Sequence, residues 1–228
     1  MMLRLIDKAK IYFYIVLLLT ILSIHNINFI SSFNNYFKIN KIEIYGNLNE
    51  SLNDEIETAL KKFYNVNIFS LKSDEVSYLL NNFNIISEYK IKKKYPSAIN
   101  IELKETTILA YFFENNLKTY IGANGKKIKK IKQNSEEIPI IIGQFDIKNF
   151  LNLKKILDEN GFKINDFDTL YYFKSKRWDL VYKKKTTIKL PSNNLENSIN
   201  LFKKVIENHN TEEIGIIDLR IKDSVILS

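Results

Sequence analysis

The sequence predicts an α+β protein in three parts: a single N-terminal transmembrane helix, a small strand-helix-helix-strand-strand module, and a C-terminal mixed β-sheet with helices. Three observations predict it. No formal charge appears from Ile11 through Phe37, and the stretch Ile11 to Ile30 is dominated by Ile, Leu, Phe and Tyr. Short segments of period-two alternation recur beyond it, as where Ile99, Ile101 and Leu103 interleave with Asn100, Glu102 and Lys104. Between them lie segments whose apolar residues recur three and four apart, the mark of amphipathic helices.

At about 1.5 Å per residue, about 20 apolar residues cross a hydrocarbon core of about 30 Å, so residues 11–30 read as the anchor. A cleaved signal peptide needs small residues near its cleavage site, and Ser23-Ile24-His25-Asn26 has no such pattern. Arg4, Lys8 and Lys10 precede the stretch, opposed by Asp7 alone. This places residues 1–10 in the cytoplasm and the body outside. Tyr36 and Phe37 fit an aromatic belt at the outer interface and equally fit the start of the first strand.

Once the anchor is set aside, about 190 residues remain, enough for one large or two small domains. With 45% apolar residues the chain can build a core. It has no cysteine, which excludes disulfides, thiol catalysis, zinc fingers and iron–sulfur clusters. The net charge of +8 comes almost wholly from lysines dispersed among acids, within a chain equally rich in Ile, Asn, Phe and Tyr. Nucleic-acid binders concentrate Arg and Lys on one surface, so no nucleic-acid partner is expected.

In residues 36–106, Phe37 to Tyr45 reads as a strand ended by Gly46-Asn47. Ser51 to Asp54 resembles a capping box before a helix that turns Ile56, Leu60 and Phe63 inward. A second helix from Ser73 buries Val76, Leu79, Leu80 and Phe83, and strands follow at Ile86–Tyr95 and Ile99–Leu103, separated by Pro96. In residues 107–228, Leu117–Ile121 and Lys127–Ile131 read as a hairpin whose Asn124-Gly125 supplies positive φ angles. Phe150, Leu153, Ile156 and Leu157 define a helix face stopped by Asn160-Gly161, and Phe167 to Phe173 is strand-like. Arg177 to Tyr182 and Thr186 to Leu190 form a second hairpin, in which Lys183-Lys184-Lys185 predicts a longer or looser connection. A helix from about Leu195 to His209 buries Ile199, Phe202 and Ile206, before the final strand pair Ile216 to Leu227.

No catalytic constellation is present. His25 lies in the membrane stretch and His209 ends a helix, so neither a metal site nor a Ser–His–Asp arrangement can be assembled. There is no phosphate-loop motif and no cofactor motif, and no small-molecule substrate is expected. Trp178 sits in an alternating strand and reads as core. Arg220 is either a surface ion pair of small worth or a group that meets a partner's carboxylate.

Ile-Glu-Ile-Tyr-Gly-Asn at 42–47, Asn-Ile-Phe-Ser-Leu at 67–71 and Ile-Lys-Lys-Lys-Tyr-Pro-Ser-Ala-Ile-Asn-Ile-Glu-Leu-Lys-Glu at 91–105 resemble a POTRA module. In particular they resemble that of the bacterial division family FtsQ, called DivIB in Gram-positive bacteria. Ile138-Pro-Ile-Ile-Ile-Gly143, Arg177-Trp178 and the terminal Asp-Leu-Arg at 218–220 extend the resemblance along the chain, in the pattern of alphaproteobacterial members. Thr107-Ile108 depart from it, standing where relatives carry proline.

The resemblance implies a non-enzymatic scaffold of the division complex in the inner membrane at the septum, with its body in the periplasm. It implies binding of FtsB and FtsL-like proteins by edge-strand pairing, and through them a link to septal peptidoglycan synthase components. By position it implies partner contacts at Arg220, Ile221, Asp223, Ser224, Val225 and Leu227, with Arg177 a weaker candidate. Tyr95 and Glu105 match the motif as structural residues. The rival reading is a POTRA-bearing component of protein export or outer-membrane assembly. It calls for many strands of about 10 residues alternating apolar and polar, more than the second module holds. An exported cell-wall enzyme lacks its constellation.

Overall fold

The computed structural model describes residues 3–23, 34–48, 50–129, 137–209, 214–222 and 224–228. Helix α1 (Leu3–Ser23) comes first, and its large apolar side chains from Ile11 to Leu22 are exposed around the whole circumference. Among the described residues no helix is long and apolar enough to cross a membrane, and of the expected span, residues 11–30, the described part ends at Ser23. Arg4, Asp7, Lys8 and Lys10 fall within α1, so its charge-free part, Ile11 to Ser23, is about 20 Å long against a core of about 30 Å. The rest of the expected span, residues 24–30, lies outside the described residues.

The first module has the expected order: β1 (Lys41–Tyr45), α2 (Glu50–Leu60), α3 (Ser73–Asn81), β2 (Ile86–Lys94) and β3 (Ala98–Glu105). Strand β3 is central, parallel to β1 and antiparallel to β2. Ile99, Ile101 and Leu103 point toward the helices, where Ile56, Leu60, Val76 and Leu80 complete the core. Each such side chain contributes roughly 1.5–3 kcal/mol by leaving water. Helix α2 begins at Glu50, so Ser51 lies in its first turn and not at the cap of the expected box. Phe37 and Ile39 precede β1 and pair with the 65–68 segment: Ile39 N–H donates to Val66 O at 2.9 Å and Ile68 N–H to Phe37 O at 2.9 Å.

The second module is one mixed sheet of nine strands, ordered β12-β11-β10-β9-β8-β7-β4-β5-β6. Its strands are β4 (Ile108–Glu114), β5 (Leu117–Gly122), β6 (Lys127–Ile128), β7 (Ile140–Ile142), β8 (Phe167–Tyr172), β9 (Trp178–Tyr182), β10 (Thr186–Lys189), β11 (Ile216–Asp218) and β12 (Ile226–Leu227). Helices α4 (Ile147–Glu159) and α5 (Leu195–Asn208) cover one face. There Phe150, Leu153, Ile199 and Phe202 pack on Leu170, Trp178, Leu180, Ile188 and Ile217. Asp146 caps α4, its carboxylate accepting from Lys148 N–H at 3.0 Å, and Gly161 follows α4 at φ 87°. Gly143 (φ 117°) lies so close to β8 that a Cβ would meet Tyr172 O at 2.1 Å, so a glycine is required there.

Two turns depart from expectation. Tyr182 pairs with Thr186 across only Lys183-Lys184-Lys185, with Lys183 and Lys184 at φ 48° and 59°. The connection is therefore tight, achieved by lysines in the left-handed region that glycine usually fills. In the β5–β6 turn only Gly125 has positive φ (74°). Asn124 serves as a clasp between modules. Its amide nitrogen donates to Asn84 O at 2.9 Å and Ile86 O at 3.2 Å, while the Asn84 amide donates to Lys127 O at 2.9 Å. Tyr120 and Ile128, from the second module, complete the core of the first.

Candidate partner-binding edge

The two sheets present four edge strands: β1, β2, β6 and β12. Edge strands expose unpaired backbone groups, and folded proteins blunt them with lysines, with other charges or by cover. Strand β2 carries Lys90, Lys92, Lys93 and Lys94. Lys92 is paired to Glu102 of the neighbouring strand at 2.5 Å and Lys104 to Glu88 at 3.3 Å. Strand β1 carries a Lys41–Glu43 pair, and Tyr45 OH donates to Glu43 at 2.8 Å. Strand β6 is docked on the first module through the buried Ile128 and the Asn84 bond. Strand β12 has none of these protections among the described residues.

The geometry of β12 follows from its ladder. Ser228 N–H donates to Ile216 O at 3.1 Å and Ile216 N–H to Ser228 O at 2.8 Å, so these two residues form a hydrogen-bonded pair. Antiparallel ladders alternate, so Ile226, opposite Asp218, also faces β11. Leu227 and Val225 then direct their backbone N–H and C=O outward. Beside them Ile221, Ile226 and Leu227 are 58, 50 and 40% exposed, while Val225 packs partly on the core. An outward backbone ladder flanked by apolar side chains is what an added strand needs.

The expected residues fall around this edge. Ser224 is exposed and its N–H donates to Ile221 O at 3.2 Å, closing the turn before β12. Asp223 lies outside the described residues. Arg220 clasps Asp218: its Nε lies 2.8 and 3.0 Å from the two carboxylate oxygens, and a terminal nitrogen 2.5 Å from one of them. The hydrogen bonds from Arg220 hold the Asp218 carboxyl below the usual range and raise the guanidinium in turn.

Arg177 lies 3.3 Å from Asp179 and stacks over the Phe173 ring at 4.4 Å. The register Asp179–Lys189–Asp218–Ile226 across β9 to β12 aligns both acids in one row on the face away from the helices. Burial pushes the Asp179 carboxyl up, against the pull of Arg177, Arg220 and Lys189. Arg177 and Arg220 thus belong to one charged row leading to the edge.

Sequence reasoning missed Asp179 and Asp218. Their signal was spacing: Arg177/Asp179 and Asp218/Arg220 are two residues apart, which in a strand means the same face. Trp178 is buried at 2% exposure against Tyr172, at 4.6 Å between rings, and contributes core, not contact. Among the described residues no cluster of three or more His, Cys, Asp or Glu is placed to hold a metal ion.

The fold is thus a three-stranded module with two helices on one face, joined to a larger sheet that ends in an open apolar edge. Residues 37–106 match the family described as POTRA domain, FtsQ-type, and residues 110–220 match the family described as cell division protein FtsQ/DivIB, C-terminal. The cell division protein FtsQ of Rickettsia prowazekii (strain Madrid E) is 28% identical over 169 residues, covering 72% of this chain and 61% of that protein. Cell division protein DivIB of Clostridium botulinum (strain Hall) is 31% identical over 151 residues, covering 64% of this chain and 57% of that protein. The chain belongs to the FtsQ/DivIB family of non-enzymatic bacterial cell-division proteins. It spans less than two thirds of the length of these relatives.

Proposed function

We propose that the chain is a bitopic scaffold of the division complex, anchored in the inner membrane with its body in the periplasm. It captures FtsB and FtsL-like partners by strand addition at β12 and links them to septal peptidoglycan synthase components. The observation that carries this reading is the edge itself: among the described residues β12 combines outward backbone groups with exposed Ile226 and Leu227 and carries no charged side chain. Family membership supports the division role. The anchor is supported by α1, whose apolar residues from Ile11 to Leu22 pack on nothing in either core. A helix apolar on all sides needs a protein core or a lipid environment around it. Residues 24–30 supply the remaining apolar length.

In this arrangement Leu227 and Val225 supply the backbone ladder. Ile221 supplies apolar contact and Ser224 sets the turn, with Asp223 beside it. Arg220 and Arg177 supply a cationic approach, Arg220 exchanging part of its bond with Asp218 for a partner's carboxylate. Tethering both partners to one membrane raises their effective concentration.

The test is Leu227→Pro, which removes an outward donor and leaves the bonds to β11 in place. The expected result is an unchanged melting temperature, capture of an FtsB-like partner weakened at least about tenfold, and filamentous cells when this variant replaces the parent. Undiminished capture, or normal division after depletion of the protein, contradicts the reading.

A further inference from the structure

Four aromatic rings form a continuous chain over one end of the first module. Tyr36 meets Phe37 edge-on at 5.3 Å, Phe37 tilts against Phe69 at 5.0 Å, and Phe69 stacks on Tyr95 at 5.1 Å. Contacts of this kind usually belong to interiors, yet Tyr36, Phe69 and Tyr95 are 64, 61 and 57% exposed. The patch is held in place by backbone bonds. Phe69 N–H donates to the Asn67 side chain at 2.9 Å, and Ser70 and Leu71 N–H both donate to Asn67 O at 3.1 Å. Phe37 is rooted in the core of the module. The partner edge at β12 makes no use of this surface.

Chain position and charge indicate what covers it. Tyr36 stands six residues beyond Ile30, so a fully extended connection spans at most about 20 Å from the end of the apolar stretch. The flanking sequences Tyr36-Phe37-Lys38, Phe69-Ser70-Leu71-Lys72 and Lys93-Lys94-Tyr95 contain lysines and no acid. Exposed tyrosines with lysines beside them suit the headgroup layer of an anionic bilayer, where the ring is half buried and the ammonium meets phosphate.

We propose that Tyr36, Phe69 and Tyr95 form a foot that rests in the headgroup layer and fixes the tilt of the body on the membrane. The β12 edge is thereby held at a set height. This inference rests on the reading of residues 11–30 as an anchor, and the experiment separates the two.

The chain has no native cysteine, so a nitroxide can be placed at one engineered position at a time. The full chain carrying Leu18→Cys, Ser70→Cys or Lys174→Cys is reconstituted into phosphatidylethanolamine–phosphatidylglycerol vesicles. Collision of the label with oxygen and with a water-soluble nickel chelate is then measured. The expected result is a hydrocarbon signature at position 18, water exposure at 174, and nickel collisions at 70 several-fold below those at 174. Adding Phe69→Ser and Tyr95→Ser raises the collisions at 70 to the level of 174. A buried label at 18 with a label at 70 as wet as at 174 overturns the foot alone. A wet label at 18 overturns the anchor reading, and the foot with it.

Discussion

The two sheets of this chain treat their edges in opposite ways. The three-stranded sheet lines its outer face with lysines and glutamates, and Lys92–Glu102 and Lys104–Glu88 tie its strands together across that face. The nine-stranded sheet buries one edge against the first module and ends the other at β12 in Ile226 and Leu227, half exposed. A charged edge repels an incoming strand and an apolar open one accepts it. The difference leaves β12 as the edge without a guard of charge or cover among the described residues. On the proposed reading the first module positions the body and the second binds the partner.

The largest effect should come from removing what builds the binding sheet. Phe202 is fully buried and stacks on Phe162 at 5.0 Å, so Phe202→Ala should cost about 3–5 kcal/mol in urea unfolding. Next comes the clasp. Asn124→Ala leaves Asn84 O and Ile86 O without their side-chain donor and should cost about 1–3 kcal/mol. It should also split one calorimetric transition into two, because the clasp couples the modules. A single unshifted transition would show that the shared core at Tyr120 and Ile128 suffices.

Reversing the charge contrast is a third way to break the comparison. Replacing Lys90, Lys92 and Lys94 by Thr should make the first module self-associate through β2. Light scattering in detergent would detect this at concentrations where the parent is monomeric.

Acidification separates the two carboxylates of the charged row. Asp179 has a raised folded pKa, so the fold takes up its proton before the unfolded chain does, and stability rises as pH falls from neutral toward the usual carboxylate range. Asp218 has a lowered folded pKa. Its pair with Arg220 is fully present above the unfolded value of about 4 and is lost as pH falls below it. The melting temperature should therefore pass through a mildly acidic maximum, and Asp179→Asn should flatten the rise from neutral pH. The smallest effect is expected at the tight turn, where Lys183→Gly relieves a left-handed residue and should stabilise by about 0.5–1 kcal/mol.

Much of this was legible in the sequence because burial imposes period. Alternation at Ile99, Ile101 and Leu103, and helical spacing at Ile56 and Leu60, placed the first module in the observed order. Less legible was whatever depends on partners distant in sequence. In the sequence Asn124 reads as a turn former, whereas its amide bonds residues about forty positions away. Lys183 and Lys184 disguised a tight turn by omitting glycine. Arg220 was legible as a candidate, but its grip on Asp218 depends on strand register, which one sequence does not display. The apolar run of the expected anchor is plain in the sequence, and its described part, Ile11 to Ser23, is helical in α1.

The central claim is that partner binding is confined to the outer side of β12. Amide hydrogen exchange of the full chain, with and without an FtsB-like partner, tests it most directly. Slowed exchange is expected at Val225 and Leu227, with no change at Ile226, whose amide already faces β11, and none along Ile86–Lys94. Protection appearing along β1 or β2 while Val225 and Leu227 exchange as before would contradict it.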